Sequence, residues 1–243
     1  LHHQPGGAAY DDIAETSARV IAAADQTGMG LCLLPVHYQF GGCDQRALGA
    51  GQIRFGNDFE RFQALHAGAV QAVNALPADA GYGVAPHSLR AVGVEDLKAY
   101  GAAFVSGPIH MHLAEQIPEV EEVVAHWRAR PVAWALENMG LDERFCLIHC
   151  TQMLPEETTA LARSGAVAGL CPITESSLGD GIFDGVRWLE NGGAVAIGSD
   201  SNIRIALSEE LRTLDYSQRL RDNSRAALAT EQHSTGRRMF DSI

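Results

Sequence analysis

Two imidazoles and a carboxylate fall within the nine residues Pro108-Ile109-His110-Met111-His112-Leu113-Ala114-Glu115-Gln116. Imidazole and carboxylate together form a ligand set for a borderline metal such as zinc, and each can move a proton near neutral pH. The run reads as a short buried strand opening into a loop. Residues two apart in a strand share a face. Pro108, His110, His112 and Ala114 therefore point one way, and Ile109, Met111 and Leu113 the other. Glu115 follows just past the strand end. Three more strand ends carry chemistry-capable groups: His87 with Arg90 after GYGVAP, His149 within FCLIHC, and Asp200 after GAVAIGS. Arg90 offers a planar fork that binds a carboxylate in bidentate fashion, where a surface salt bridge is its structural alternative. Ala194, Ala196 and Gly198 share the face of Asp200 and leave room beside it.

Each residue alone also has a structural reading. A single strand histidine is commonly a hydrogen-bonded core residue, and Asp200 in SDSN could cap a turn. Their joint placement at successive strand ends favours chemistry, because sites in parallel α/β folds form at the C-terminal ends of strands. His37, His66, His126 and His233 are read as structural.

The elements that must position these groups alternate strand, loop and helix, which argues for βα units and a parallel sheet. Strands are expected near residues 31, 81, 107, 145, 167 and 194. That makes six, fewer than the eight of a complete (β/α)8 barrel. Helices are expected over Tyr10–Thr27, from an Asn57 cap to Asn74 with Pro77 as the stop, over Val94–Tyr100 with Gly101 as the end, over Pro118–Arg128 and Val132–Met139. Further helices are expected over Pro155–Ser164, Gly185–Asn191 and Ser208–Asp222, the last with Leu211, Leu214, Tyr216 and Leu220. The tail to Ile243 reads as helical. Phe40–Gly56 and Pro172–Gly181 read as loops.

The 243 residues are 46% hydrophobic, enough for a substantial core. A net charge of −12 argues against the basic footprint of a nucleic-acid binder. No apolar run reaches the roughly 18 residues of a membrane span. The five cysteines are odd in number and form no C-x-x-C. Most lie in or beside apolar runs, which fits buried reduced thiols and a cytoplasmic location.

HMHLAEQ, LIHCTQM, CPITESSLGDG and IGSDSN, in this order and spacing, resemble the amidohydrolase superfamily. With GVAPHSLRAV, LLPVHY and EELRTLDYSQRLRD they resemble, within it, the formimidoylglutamate deiminases of histidine breakdown. The resemblance implies an α/β fold. It makes residues 1–243 one incomplete domain of a (β/α)8 barrel supplying strands 3 to 8. The first two strands, with a metal-binding His-x-His, and a β-sandwich lie outside the sequence. It implies one zinc, or another divalent ion, held in part by His112 and Asp200. It gives Glu115 the proton shuttle, His149 the contact to the attacking water and substrate, and His87 and Arg90 the substrate's carboxylate end. The implied reaction is hydrolytic deamination of N-formimino-L-glutamate to N-formyl-L-glutamate and ammonia. Asp200 takes the water's proton and Glu115 delivers one to the departing nitrogen. The implied partner is a small carboxylate-bearing substrate, with no nucleic acid and no membrane; a homodimer is left open. Two alternatives stand beside it: a deaminase of a ring amine of the cytosine or guanine type, and a catalytically incomplete fragment.

Overall fold

The structure is a computed structural model describing residues 2–76 and 79–243. In chain order the elements are α1 (Glu15–Thr27), β1 (Leu31–Leu33), β2 (Val36–His37), α2 (Phe59–Val73), β3 (Ala80–Tyr82), β4 (Ala85–Pro86), α3 (Val94–Ala103), β5 (Ile109–Leu113) and α4 (Ile117–Trp127). There follow α5 (Pro131–Asn138), β6 (Phe145–His149), α6 (Pro155–Ala162), β7 (Val167–Leu170), α7 (Pro172–Leu178), α8 (Gly185–Glu190), β8 (Ala194–Ile197), α9 (Leu207–Asp222) and α10 (Thr235–Asp241). Helices separate the successive strand regions, and the pairings β1 with β3, β2 with β4, β6 with β7 and β7 with β8 are all parallel. This is α/β structure with part of a barrel's complement of strands. Among the described residues no helix is long and apolar enough to cross a membrane.

The chain forms two compact units, Leu1–Met111 and His112–Ile243. In the first, the two expected strands near residues 31 and 81 are each interrupted. Pro35 separates β1 from β2 and has no N–H to give to a ladder. Gly83 separates β3 from β4, and a Cβ on Gly83 would overlap the Pro108 carbonyl oxygen. Phe62, Leu65, Leu97 and Tyr100 are fully buried there, and Ile21, Leu33, Ala69 and Val73 form one apolar cluster. Helix α1 starts at Glu15 rather than Tyr10, and Val20 lies on its exposed side. The cap of α2 is Asp58, whose side chain accepts from the Arg61 N–H at 2.8 Å; Asn57, the expected cap, is buried one residue earlier. The expected stop at Pro77 lies outside the described residues. Gly101 does not end α3, which continues to Ala103. Cys32 is exposed, while the other four cysteines are buried, and none of the five is in a disulfide among the described residues.

The second unit is built on the sheet order β5-β6-β7-β8. Trp188, Phe145, Phe183, Leu113 and Leu147 are fully or almost fully buried. The stretch after β7, expected as a loop, is the helix α7. Pro172 occupies its first turn, where a missing N–H costs nothing, and Gly179 closes it in a left-handed conformation (φ 74°). In α9, Leu211 and Leu214 face inward, whereas Tyr216 and Leu220 are exposed.

Candidate functional site

Four strand ends of the second unit bring the chemistry together. In β5 the burial alternates as the period-two reading requires: Ile109, Met111 and Leu113 are buried and His110 and His112 half-buried. Beyond β5 the chain turns through Ala114 at φ 51°. The Glu115 backbone is then held from both sides. Its N–H donates to the Glu119 carboxylate at 2.8 Å, which also accepts from the Ala114 N–H at 3.2 Å. Its carbonyl accepts from the Thr151 hydroxyl at 2.5 Å. Glu119 is 1% exposed and stands in the first turn of α4, where the helix dipole favours an anion.

His149 ends β6 and is 1% exposed. Its φ is 73°, and the Cys150 N–H reaches back to the Ile148 carbonyl at 3.2 Å. A two-residue hydrogen bond around a positive φ is the rare, strained form of γ-turn. The ring is surrounded by acids. Its Nδ1 lies 3.2 Å from Glu175 Oε1, and its Nε2 lies 3.6 Å from Glu115 Oε1 and 4.0 Å from Asp200 Oδ2. The His112 ring stacks on it at 5.7 Å between centroids. Burial alone would lower the His149 pKa. The Glu175 hydrogen bond, with the charges of Glu115, Glu175 and Asp200, reverses this and holds it above the ordinary imidazole value. Glu115 is also raised, first by burial and further by Asp180 and Glu119, against the opposing pull of His149 and His112. A carboxyl raised in this way holds a proton more readily, as acid–base work requires.

Asp200 follows β8, also at positive φ (47°). Its loop is tied down two residues later. The Asn202 amide donates to the Ser199 carbonyl and, at 3.1 Å, to Glu210 Oε1, while Glu210 Oε2 accepts from the Ile173 N–H at 2.9 Å. Glu210, buried in α9, thus joins the loop of Asp200 to the start of α7. The ligand atoms of His149, Cys171 and Asp200 all lie within 4.8 Å of one another. Asp200 and His149 were both expected at the site; Cys171 was not. Burial, followed by the charges of Glu175, Asp200 and Glu210, pushes the Cys171 thiol up to about 12. An excess of carboxylates around imidazole nitrogen fits a divalent cation of the zinc class.

His87 and Arg90 belong to the first unit, immediately after β4. His87 Nδ1 lies 2.9 Å from the Ser88 hydroxyl, and the Tyr38 ring packs edge-on at 4.5 Å. Arg90 Nε is buried, with no hydrogen-bond partner among the described residues.

Glu175, Glu119, Thr151 and Glu210 are not singled out by any strand-end pattern in the sequence. Glu175 had one usable signal: a proline followed three residues later by an acid marks a helix start.

The amidohydrolase family profile matches residues 8–233. A formimidoylglutamate deiminase of Pseudomonas aeruginosa is 43% identical over 99% of this chain, which covers 53% of that protein. A 5-methylthioadenosine/S-adenosylhomocysteine deaminase of Halobacterium salinarum is 35% identical over 52% of the chain and 31% of its own length. An amidohydrolase crystal structure from Brucella melitensis superposes with a TM-score of 0.96 at 46% identity, covering all of this chain and 54% of that one. A zinc-bound adenosine deaminase from Xanthomonas campestris superposes at 0.73 with 22% identity, over 87% of this chain and 47% of its own, a likeness of fold. The chain thus spans about half the length of the relatives it matches. On the profile match across nearly its whole length, the chain belongs to the amidohydrolase family.

Proposed function

We propose that the intact protein catalyses metal-dependent hydrolytic deamination of N-formimino-L-glutamate, giving N-formyl-L-glutamate and ammonia. The observation that carries the reading is the convergence of Glu115 and Asp200 on Nε2 of a single buried imidazole, His149. Likeness to the Pseudomonas deiminase over almost the whole chain supports the substrate. His112 and Asp200 are the residues assigned to the metal, with His149 beside them. A bound zinc or similar divalent ion would act as a Lewis acid and make water a competent nucleophile at neutral pH. Asp200, partly open to solvent, receives the water's proton. His149, held by carboxylates, presents Nε2 to the polarised formimino group. Glu115, with its raised pKa, delivers a proton to the departing nitrogen. The substrate's carboxylates fall to Arg90 and His87. In support, Arg90 Nε is a buried donor without a partner among the described residues, a condition that a bound carboxylate would relieve.

A second reading, deamination of an adenine-type ring amine, is favoured by the 35% identity to the Halobacterium deaminase over half of the chain. Ammonia release by the full-length protein separates the two. Formiminoglutamate is the expected substrate, and Arg90→Met should raise its KM at least about tenfold by removing a charge-assisted pair. Turnover of 5′-methylthioadenosine in preference, unaffected by Arg90→Met, would establish the second reading instead.

A further inference from the structure

We propose that Glu175 is a positioning residue that locks the His149 imidazole with its proton on Nδ1 and keeps Nε2 as the nitrogen available for chemistry. The proposal rests on the function above for what Nε2 does, and on geometry alone for the tautomer.

Glu175 is 4% exposed, and one oxygen, Oε1, carries its two contacts. It accepts from the Cys171 backbone N–H at 2.8 Å and lies 3.2 Å from His149 Nδ1. An ionised carboxylate can only accept. The proton in the second contact therefore sits on Nδ1, and in the neutral ring the lone pair sits on Nε2. That is the nitrogen facing Glu115 Oε1 at 3.6 Å and Asp200 Oδ2 at 4.0 Å. The bond to Cys171 stops the carboxylate from swinging away, because that N–H belongs to the residue that caps α7. The γ-turn fixes the backbone of His149, and Glu175 fixes the ring. A histidine that binds a metal or relays a proton works in one tautomer, set by the partner of its other nitrogen. Burying a carboxylate is costly unless it is paired and hydrogen-bonded. An apolar side chain would fill this space at lower cost, but it could not orient the ring.

The test is a long-range proton–nitrogen correlation on the 15N-labelled full-length protein, at a pH above the imidazole's titration, with His149 assigned by signal loss in His149→Asn. Wild type should show a protonated Nδ1 and an unprotonated Nε2. Glu175→Gln keeps an accepting oxygen and should retain that pattern. Glu175→Leu should shift His149 to the opposite tautomer or to a mixture. A wild-type ring protonated on Nε2, or a Glu175→Leu spectrum identical to wild type, overturns the proposal; the wild-type and Glu175→Gln spectra decide it even if Glu175→Leu does not fold. In the full-length protein Glu175→Leu should lower kcat about 10–100-fold with KM little changed, and Glu175→Gln should recover most of the loss. If the full-length wild type does not deaminate formiminoglutamate, the functional reading fails while the tautomer result stands.

Discussion

His37 in the first unit and His149 in the second are equally hidden, at 0% and 1% exposure, yet their environments drive them apart. His37 stacks on Phe62 at 4.7 Å, touches Phe59 and Tyr100, and meets the Tyr100 hydroxyl at 2.8 Å through Nδ1. Burial lowers its pKa to about 4, against weak opposition from Asn57 and Asp58. His149 meets three carboxylates and is raised. Burial therefore does not decide whether a histidine is a packing element or a reactive group. The charge of its neighbours does.

That contrast can be attacked from either side. The largest effect is expected in the acidic cluster. Glu115→Gln in the full-length protein should slow turnover by about 10²–10⁴-fold with substrate binding retained, read by steady-state kinetics and a binding assay. Near-normal turnover would remove Glu115 from the chemistry. In the aromatic cluster the expected damage is to stability. Phe62→Ala deletes a fully buried ring and should cost about 3–5 kcal/mol in denaturant unfolding. A loss below 1 kcal/mol would mean that the His37 cluster is not a true core.

The smallest effect is a pH dependence. His37 titrates near 4 when folded and near 6.5 when unfolded, so between those values the unfolded chain binds the extra proton. Stability from a neutral His37 is fully present above the unfolded value and drains away as the pH falls toward 4, by on the order of 3 kcal/mol. His37→Phe should flatten that slope in unfolding free energy. His2, whose pKa is also lowered to about 4, first by burial, shares the slope that remains with His3, His66 and His110, which burial lowers as well. An unchanged slope in His37→Phe would show that His37 is not its source.

Much of this arrangement is legible in the sequence. The six strand regions are visible because apolar runs and their punctuation mark buried strands whatever the tertiary setting. His112, Glu115, His149 and Asp200 stand out because each ends such a run. The breaks at Pro35 and Gly83 are less legible: Pro35 signals only a missing donor, and Gly83 depends on the approach of Pro108 from a distant part of the chain. Helix α7 is hidden by its own composition. At seven residues, opening on a proline and followed by glycines, PITESSL has the look of a loop. Glu175 is hidden with it, since its partner lies 26 residues back and no local periodicity links the two.

The positive φ angles at the strand ends bear on how this protein would respond to selection. Ala114 (51°), His149 (73°) and Asp200 (47°) adopt backbone conformations that glycine tolerates best, and each such residue stores on the order of 1–3 kcal/mol. A laboratory evolution run that rewards heat resistance alone would favour glycine at the exposed position 200, and variants would grow hardier while the carboxylate disappeared, whereas glycine at the buried position 149 would open a cavity and leave Glu175 without its imidazole partner. Screens that score survival and turnover together should find these two positions immovable and Ala114 negotiable. The loops that carry the chemistry thus also mark where durability and reactivity make opposite demands on one residue.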